Sequence, residues 1–241
     1  MKAEIPMSVA PSRYPQRLSR PAIPPLQNGD SLSADEFELR YDATPNLKKA
    51  ELIDGIVYML PPPVSDEFHS SPHFDLISWL GIYRAATPGV RGGDSGTLRL
   101  DLKNRPQPDA YLRILTECGG QSKIDKDGYV AGAPELIAEV AASSVSYDLH
   151  VKLNCYREHG VKEYVVWRVY DEAIDWMFLR GGNYEQLPLE MGIYKSEVFP
   201  GLWLETAAML SGDIAAVIAT LQKGLATPEH KAFLARLQKP T

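Results

Sequence analysis

The chain is short of cysteine, of long apolar runs and of basic charge, and each shortage removes a class of function. Its two cysteines, Cys118 and Cys155, stand far apart in 241 residues. They form no Cys-x-x-Cys pair, so neither a disulfide framework nor a zinc-finger site organises the fold. Two reduced thiols in a cytoplasmic protein are the expected state. The longest stretch free of Asp, Glu, Lys, Arg and His runs only from Gly55 to Ser65. A bilayer span needs about 20 apolar residues, so no membrane segment is expected. The opening residues Met1-Lys2-Ala3-Glu4-Ile5-Pro6 lack the apolar core of a secretory signal. Lys and Arg number 25 against 31 Asp and Glu, a formal net charge of −6. An acidic chain is a poor non-specific binder of nucleic acid. A nuclease stays open, because carboxylates that hold a metal are themselves acidic.

What is present is globular in character: 44% hydrophobic and 23% charged residues. The length suits one domain with appendages. Pro6, Pro11, Pro15, Pro21, Pro24 and Pro25 crowd the start. Proline fixes φ and lacks a donor, so residues 1–30 read as a flexible Pro-rich arm. Arg13, Arg17 and Arg20 give that arm local positive charge. Residues 31–205 carry the main domain, and residues 206–241 read as a C-terminal helical extension.

Ser33 with Glu36 fits a capping box and opens a first helix that fades near Asp42 to Pro45. Glu51 to Met59 is two β-rich runs around Asp54-Gly55, a strong hairpin signal. Leu76, Leu80 and Tyr83 mark the buried side of a helix over 74–86. Thr97 to Leu102 alternates like a half-buried strand, and a short strand follows over Ala110 to Leu115. Cys118 to Gly132 reads as a loop or hairpin. Pro134 to Ala142 reads as a buried strand, then a helix over Tyr147 to His159 that Gly160 terminates. Strands are expected over Glu163–Val169, Ala173–Leu179, Tyr184–Leu187 and Gly192–Val198. Helical pattern returns from about Glu205, with Leu210, Ile214, Ile218 and Leu221 on its apolar face, and a short last helix covers Glu229–Leu237. These pieces sum to an α/β (α+β) architecture: a central mixed sheet flanked by helices.

Three residues in sequence order could carry chemistry. Glu139 lies mid-strand, between Ile137 and Ala141 on its own face. A buried carboxylate there needs a cation, a metal or hydrogen bonds. Glu135, on the same face, sits at the strand's mouth and is expected to reach water. Pro108-Asp109 precedes Glu139 by one strand pair, a frame in which two carboxylates can hold Mg²⁺ or Mn²⁺. Such an ion activates water and neutralises charge at phosphorus. On the next helix Asp148, Lys152 and Tyr156 recur at i, i+4 and i+8, with Leu149 and Leu153 anchoring the helix beside them. The plain alternative is a surface Asp148–Lys152 ion pair worth a few tenths of a kcal/mol.

Glu51-Leu52-Ile53-Asp54-Gly55, the His-containing segment after Pro63, Gln107-Pro108-Asp109, Pro134 to Val140, Ser143-Ser144, Asp148…Lys152…Tyr156 and Gly160-Val161-Lys162-Glu163-Tyr164 occur in this order. The chain thereby resembles the Uma2 restriction-endonuclease family of the PD-(D/E)xK nuclease superfamily, over about residues 33–205. The resemblance implies a restriction-endonuclease-like core and hydrolysis of DNA phosphodiester bonds with Mg (or Mn). It implies Asp109 and Glu139 as metal ligands and Glu51 as a further acidic site residue. The superfamily's lysine follows the second acid by two positions, which is Ala141 here. The family lacks Lys there, and a lysine migrated to the next helix would be Lys152, completing the catalytic set. Lys152→Ala is then expected to abolish cleavage and spare folding. The family also places a His near the start of the helix after Pro63. His73 is the favoured register and His69 the alternative, orienting Glu51 or a phosphate. Asp148 and Tyr156 stand around the same set. A homodimer would suit cutting of two strands.

Arg84, Arg91, Arg99, Lys103 and Arg105 could track phosphates, or be scattered surface charge. The competing reading of the chain is a non-catalytic nucleic-acid- or partner-binding relative on the same fold. A ligand-binding reading rests only on Trp167 and Trp176, which fit strand packing equally well.

Overall fold

The computed structural model describes residues 23–44, 46, 47, 49–59 and 65–238. Most of the expected arm therefore lies outside the described residues. Of the remainder, Leu26 is buried against Phe37, Leu52 and Val57, and the Gly29 N–H donates to the Val57 carbonyl at 2.8 Å. The arm's last residues are thus packed rather than free.

Helix α1 (Ala34–Asp42) begins where expected, with the Ser33 hydroxyl accepting from the Glu36 N–H. Strands β1 (Glu51–Ile53) and β2 (Ile56–Tyr58) form the hairpin. Asp54 and Gly55 have φ of 52° and 77°, the left-handed pair that a two-residue type I′ turn requires. A π-helical turn (Asp66–Ser70) leads into α2 (Ser71–Ala86), whose Leu76, Trp79, Leu80 and Tyr83 face inward. The chain continues through β3 (Val90–Asp94), β4 (Leu98–Arg99), β5 (Ala110–Ile114), β6 (Lys123–Ile124), β7 (Val130–Ala131) and β8 (Leu136–Ala141). A second π-helical turn (Tyr147–Lys152) opens α3 (Leu153–Glu158), and Gly160 ends it at φ 78°. Then come β9 (Glu163–Arg168), β10 (Ala173–Arg180), β11 (Asn183–Gln186), β12 (Ile193–Lys195), β13 (Trp203–Glu205), α4 (Thr206–Leu210), α5 (Ile214–Leu225) and α6 (Pro228–Leu237).

The central sheet is six-stranded and mixed, in the order β11-β10-β9-β8-β5-β3. Only β8 and β9 run parallel, and their crossover carries the second π-turn and α3. Helices flank both faces. Leu136, Ala138 and Val140 join the larger core with α2, α5 and α6; Ile137 and Ala141 join the smaller core with Tyr156 and Tyr164. This is the alternation expected of β8. The helices after residue 205 are part of the larger core, through Val217, Leu221, Phe233 and Leu237. Val217 and Leu221 are the most deeply buried apolar residues of α5, and the expected Leu210, Ile214 and Ile218 pack against the same core while partly exposed.

Candidate active site beneath the β5–β8 pair

The register of β5 against β8 pairs Ala110 with Ala138, which brings Asp109 opposite Glu139. Backbone hydrogen bonds lock the two carboxylates to each other's strands. The Val140 N–H donates to Asp109 Oδ2 at 2.9 Å, and the Asp109 N–H donates to Glu139 Oε2 at 3.3 Å. From the hairpin, Glu51 points into the same space, where its Oε1 accepts from the Gln107 N–H at 2.6 Å. Lys152, the last residue of the second π-turn, fills the middle. Its Nζ lies 2.8 Å from Glu139 Oε1, 3.1 Å from Glu51 Oε1 and 3.6 Å from Asp148 Oδ1. The Tyr156 hydroxyl donates to Glu139 Oε1 at 2.9 Å, and the Ser144 hydroxyl donates to Asp148 Oδ2 at 2.6 Å. Glu51, Glu139, Asp148 and Lys152 are all no more than 2% exposed.

The opposite wall is more open. Lys49 Nζ reaches Asp109 Oδ1 at 3.2 Å, and His69 Nε2 lies 3.5 Å from Asp109 Oδ2. His73 Nε2 donates to the Asp109 carbonyl at 2.9 Å and lies 3.3 Å from Asp94 Oδ1. The side chains of Lys49, His69 and His73 keep 24%, 30% and 19% of their exposure. The site therefore opens on the side of Asp109 and closes on the side of Lys152.

Electrostatics separate the two central acids. Burial alone would raise Asp109, but the His69 hydrogen bond, the charges of Lys49 and Lys152 and the Val140 N–H hold it well below the carboxylate range. Burial pushes Glu139 up to about 8; Lys152 opposes that rise, and Asp109 and Asp148 add to it. Asp148 is likewise raised, first by burial. Burial would lower Lys152, yet Glu139, Glu51, Asp148 and Tyr147 together carry it well above its ordinary value. The acids around Lys152 thus favour its charged form even though it is buried.

All eight residues singled out from the sequence meet in this network. Asp109, Glu139, Glu51, Lys152, Asp148 and Tyr156 form its floor, while His69 and His73 both reach Asp109 rather than Glu51. The surface-pair alternative for Asp148–Lys152 is overturned by burial. So is the expectation for Glu135, which is fully buried and accepts from the Ile114 and Gln121 N–H groups at 2.8 and 2.9 Å. The segment around Gln121 folds over the mouth of β8 and closes it to water. Arg99 is bound by Glu38, Asp125 and Asp127, and Arg105 by Glu38, so neither is a free phosphate contact. Trp176 packs in the sheet core. Lys49 escaped the sequence reading because Lys48-Lys49 resembles a charged linker. The available signal was its i, i+2 spacing from Glu51, which puts the two side chains on one side of an extended chain.

The donor set suits a hard divalent cation. Asp109 and Glu139 supply carboxylate oxygens, and Glu51 Oε2 is buried without a hydrogen-bond partner. Among the described residues no group of three or more His, Cys, Asp or Glu is arranged to hold a metal ion. Magnesium is ordinarily held by one or two carboxylates with water and substrate phosphate completing its shell, so two acids are a sufficient protein contribution.

Comparison with known proteins bears on the family and the fold. The chain shares its fold with a protein from Anabaena variabilis ATCC 29413 described as a putative nuclease belonging to DUF820. The TM-score is 0.55 and the identity 14%, with 75% of this chain and 98% of that one covered. No curated protein matches the chain. Residues 34–207, well over half of the chain, match the Uma2 family, described as "Putative restriction endonuclease". The β5–β8 acid pair thus sits within the matched region of a restriction-endonuclease-like fold, and the chain belongs to the Uma2 family.

Proposed function

We propose that this protein is a metal-dependent endonuclease that hydrolyses DNA phosphodiester bonds at the Asp109–Glu139 pair. The observation that carries the reading is a cross-strand pair of acids held face to face beside a fully buried lysine. A buried ion cluster of this kind is costly to assemble and is weak evidence for stability. Converging buried charges of this kind mark a candidate functional site.

Asp109 and Glu139 would hold Mg²⁺ (or Mn²⁺), with water and a substrate phosphate completing its shell. A bound ion would supply Lewis acidity and an activated water. The residues of the chain divide the other tasks. Lys152 fixes Glu139 and Glu51 in place and keeps three neighbouring acids from repelling one another. It is a positioning residue, since those acids enclose it. Lys49 stands at the open side and is the cation placed to meet a phosphate oxygen. His69 holds the Asp109 carboxylate, and His73 holds the Asp109 backbone and Asp94. The Tyr156 hydroxyl occupies one lone pair of Glu139 Oε1, which leaves Oε2 turned toward Asp109.

The test combines turnover with a metal-binding readout. Purified protein should nick DNA with Mg²⁺ or Mn²⁺ and fail in EDTA. Asp109→Asn should lower the rate at least about 100-fold, roughly 2.7 kcal/mol of barrier. The same substitution should remove the rise in Tm that Mn²⁺ gives the parent without DNA. Undiminished cleavage by Asp109→Asn would overturn the assignment.

A further inference from the structure

Two cavities adjoin along one side of α2. The first, about 550 Å³, is lined by His73, Phe74 and Asp75 of α2 and by Asp66, Ser70 and Asp94 among others. The second, about 170 Å³, is lined by Leu80, Gly81 and Arg84 of α2, by Gly92 and Gly93 of β3, and by Tyr111. Ile77 and Asp94 line both, so they join into one groove between α2 and the edge strand β3. The groove starts at the candidate site, because His73 at its head donates to the Asp109 carbonyl. Its far end is marked by Arg84, ten positions beyond Phe74 and so roughly 15 Å along the helix.

Phe74 is 71% exposed at the head of this groove. An isolated exposed apolar side chain needs no explanation. Phe74 differs because its neighbour His73 touches the site and both line the same cavity. Tyr111, the other aromatic nearby, packs with the smaller core on the face of the sheet away from α2, its ring 2.1 Å from where a Cβ on Gly93 would stand. Phe74 is therefore the aromatic surface of the groove, and the polar lining at the head is acidic, from Asp66, Asp75 and Asp94. Carboxylates repel phosphates and accept from the N–H groups of bases. The bases would face inward at the head, and a backbone phosphate would be met only at Arg84. Cavities of this size admit a base or an extended strand, not a duplex. Arg99 and Arg105, which could have followed a duplex backbone, are already neutralised by acids.

We infer that the α2–β3 groove binds single-stranded nucleic acid leading into the site, with an unstacked base on Phe74 and a phosphate at Arg84. This rests on the nuclease reading above and names the form of its substrate. Base–aromatic stacking tolerates any sequence and is a principal source of affinity for single strands.

Fluorescence anisotropy of the full chain in EDTA reads binding without turnover, using a labelled DNA oligonucleotide and its duplex. The single strand should bind at least about tenfold more tightly than the duplex. Phe74→Ala should weaken the single strand roughly tenfold, and Phe74→Trp should restore it. Phe74 is exposed, so the variants should melt like the parent. Arg84→Ala should weaken binding and lower the salt slope by about 0.7. Equal or tighter duplex binding, or an unchanged Phe74→Ala affinity, overturns the inference. If duplex DNA is nevertheless cut with Mg²⁺, the nuclease reading stands without it. If neither form is bound or cut, both fail.

Discussion

Replacing Lys152 with methionine removes the charge at the centre of the site and nearly preserves volume, so the cost reports electrostatics rather than a cavity. Glu139, Glu51 and Asp148 all lie within 3.6 Å of the ammonium, and none is more than 2% exposed. Breaking a buried pair from one side leaves uncompensated charge and costs about 3–5 kcal/mol. An exposed pair costs below about 1 kcal/mol. At this chain length the larger figure corresponds to a fall in Tm of roughly 6–20 °C. The expectation from sequence that Lys152→Ala would spare folding is therefore revised: the lysine supports the fold as well as the proposed site. The loss should depend on pH in a definite direction. Burial already raises Glu139 and Asp148 against the opposing charge of Lys152, so without that charge these two acids take up protons still more readily folded than unfolded. A group raised in the folded state supports it below its unfolded value and loses that support as pH rises through the folded value. Lys152→Met should thus be least impaired near pH 5 and most impaired near pH 8. Adding Glu139→Gln should return part of the stability. Urea titrations at both pH values measure all of this. A destabilisation below about 1 kcal/mol at pH 8 would refute the reasoning.

Two further predictions concern elements outside the acid cluster. Gly93→Ala should cost about 1–3 kcal/mol in urea denaturation, because its Cβ would overlap the Tyr111 ring, and a second change, Tyr111→Ala, should recover much of it. His230 is buried, with Nδ1 donating to the Leu225 carbonyl at 3.0 Å and Nε2 3.1 Å from Thr87 Oγ1. Burial lowers its pKa despite the Leu225 bond, so its contribution is full above about 6.5 and is lost as pH falls below that value. Tm should decline over this range, and His230→Gln should flatten the decline.

The parts of the fold that were legible in the sequence are those in which local chemistry and tertiary packing agree. Asp54-Gly55 can adopt two positive φ values cheaply, and the hairpin follows. The Leu136, Ala138, Val140 alternation predicts which side of β8 meets the larger core. Strand β3 was not foreseen, because Arg91-Gly92-Gly93-Asp94 has no apolar alternation and becomes a strand only by pairing with β5. The expected strand over Thr97–Leu102 shrinks to Leu98–Arg99. Leu102 is 77% exposed, and Asp101 accepts from the Lys103 N–H to turn the chain there. Strand β13 falls between the strand expected over Gly192–Val198 and the helical pattern from about Glu205, and was not foreseen. Its three residues are too few for a period to declare itself, and its pairing with β12 decides the matter.

Within the candidate site, spacing and geometry carry different information. The i, i+4, i+8 stripe places Asp148, Lys152 and Tyr156 on one side of a helix, but not how deep that side lies. Depth comes from the parallel β8–β9 crossover, which presses the turn onto the sheet with Leu149 and Leu153 packed against the smaller core. The turn is π-helical, a winding that concentrates at functional sites. The other π-helical segment, over Asp66–Ser70, carries His69. No pattern of residue types announces such a turn, because it differs from an α-helix only in which carbonyl each N–H finds. The same limit hid Lys49. Its role depends on the hairpin docking its end beside Asp109, sixty residues away in sequence. Lys152 sits behind the acids and Lys49 in front of them, so the two lysines have opposite relations to solvent. That makes them separable: charge removal at Lys49, half-open and bonded to Asp109, should act mainly on phosphate binding, whereas at Lys152 it acts first on the fold.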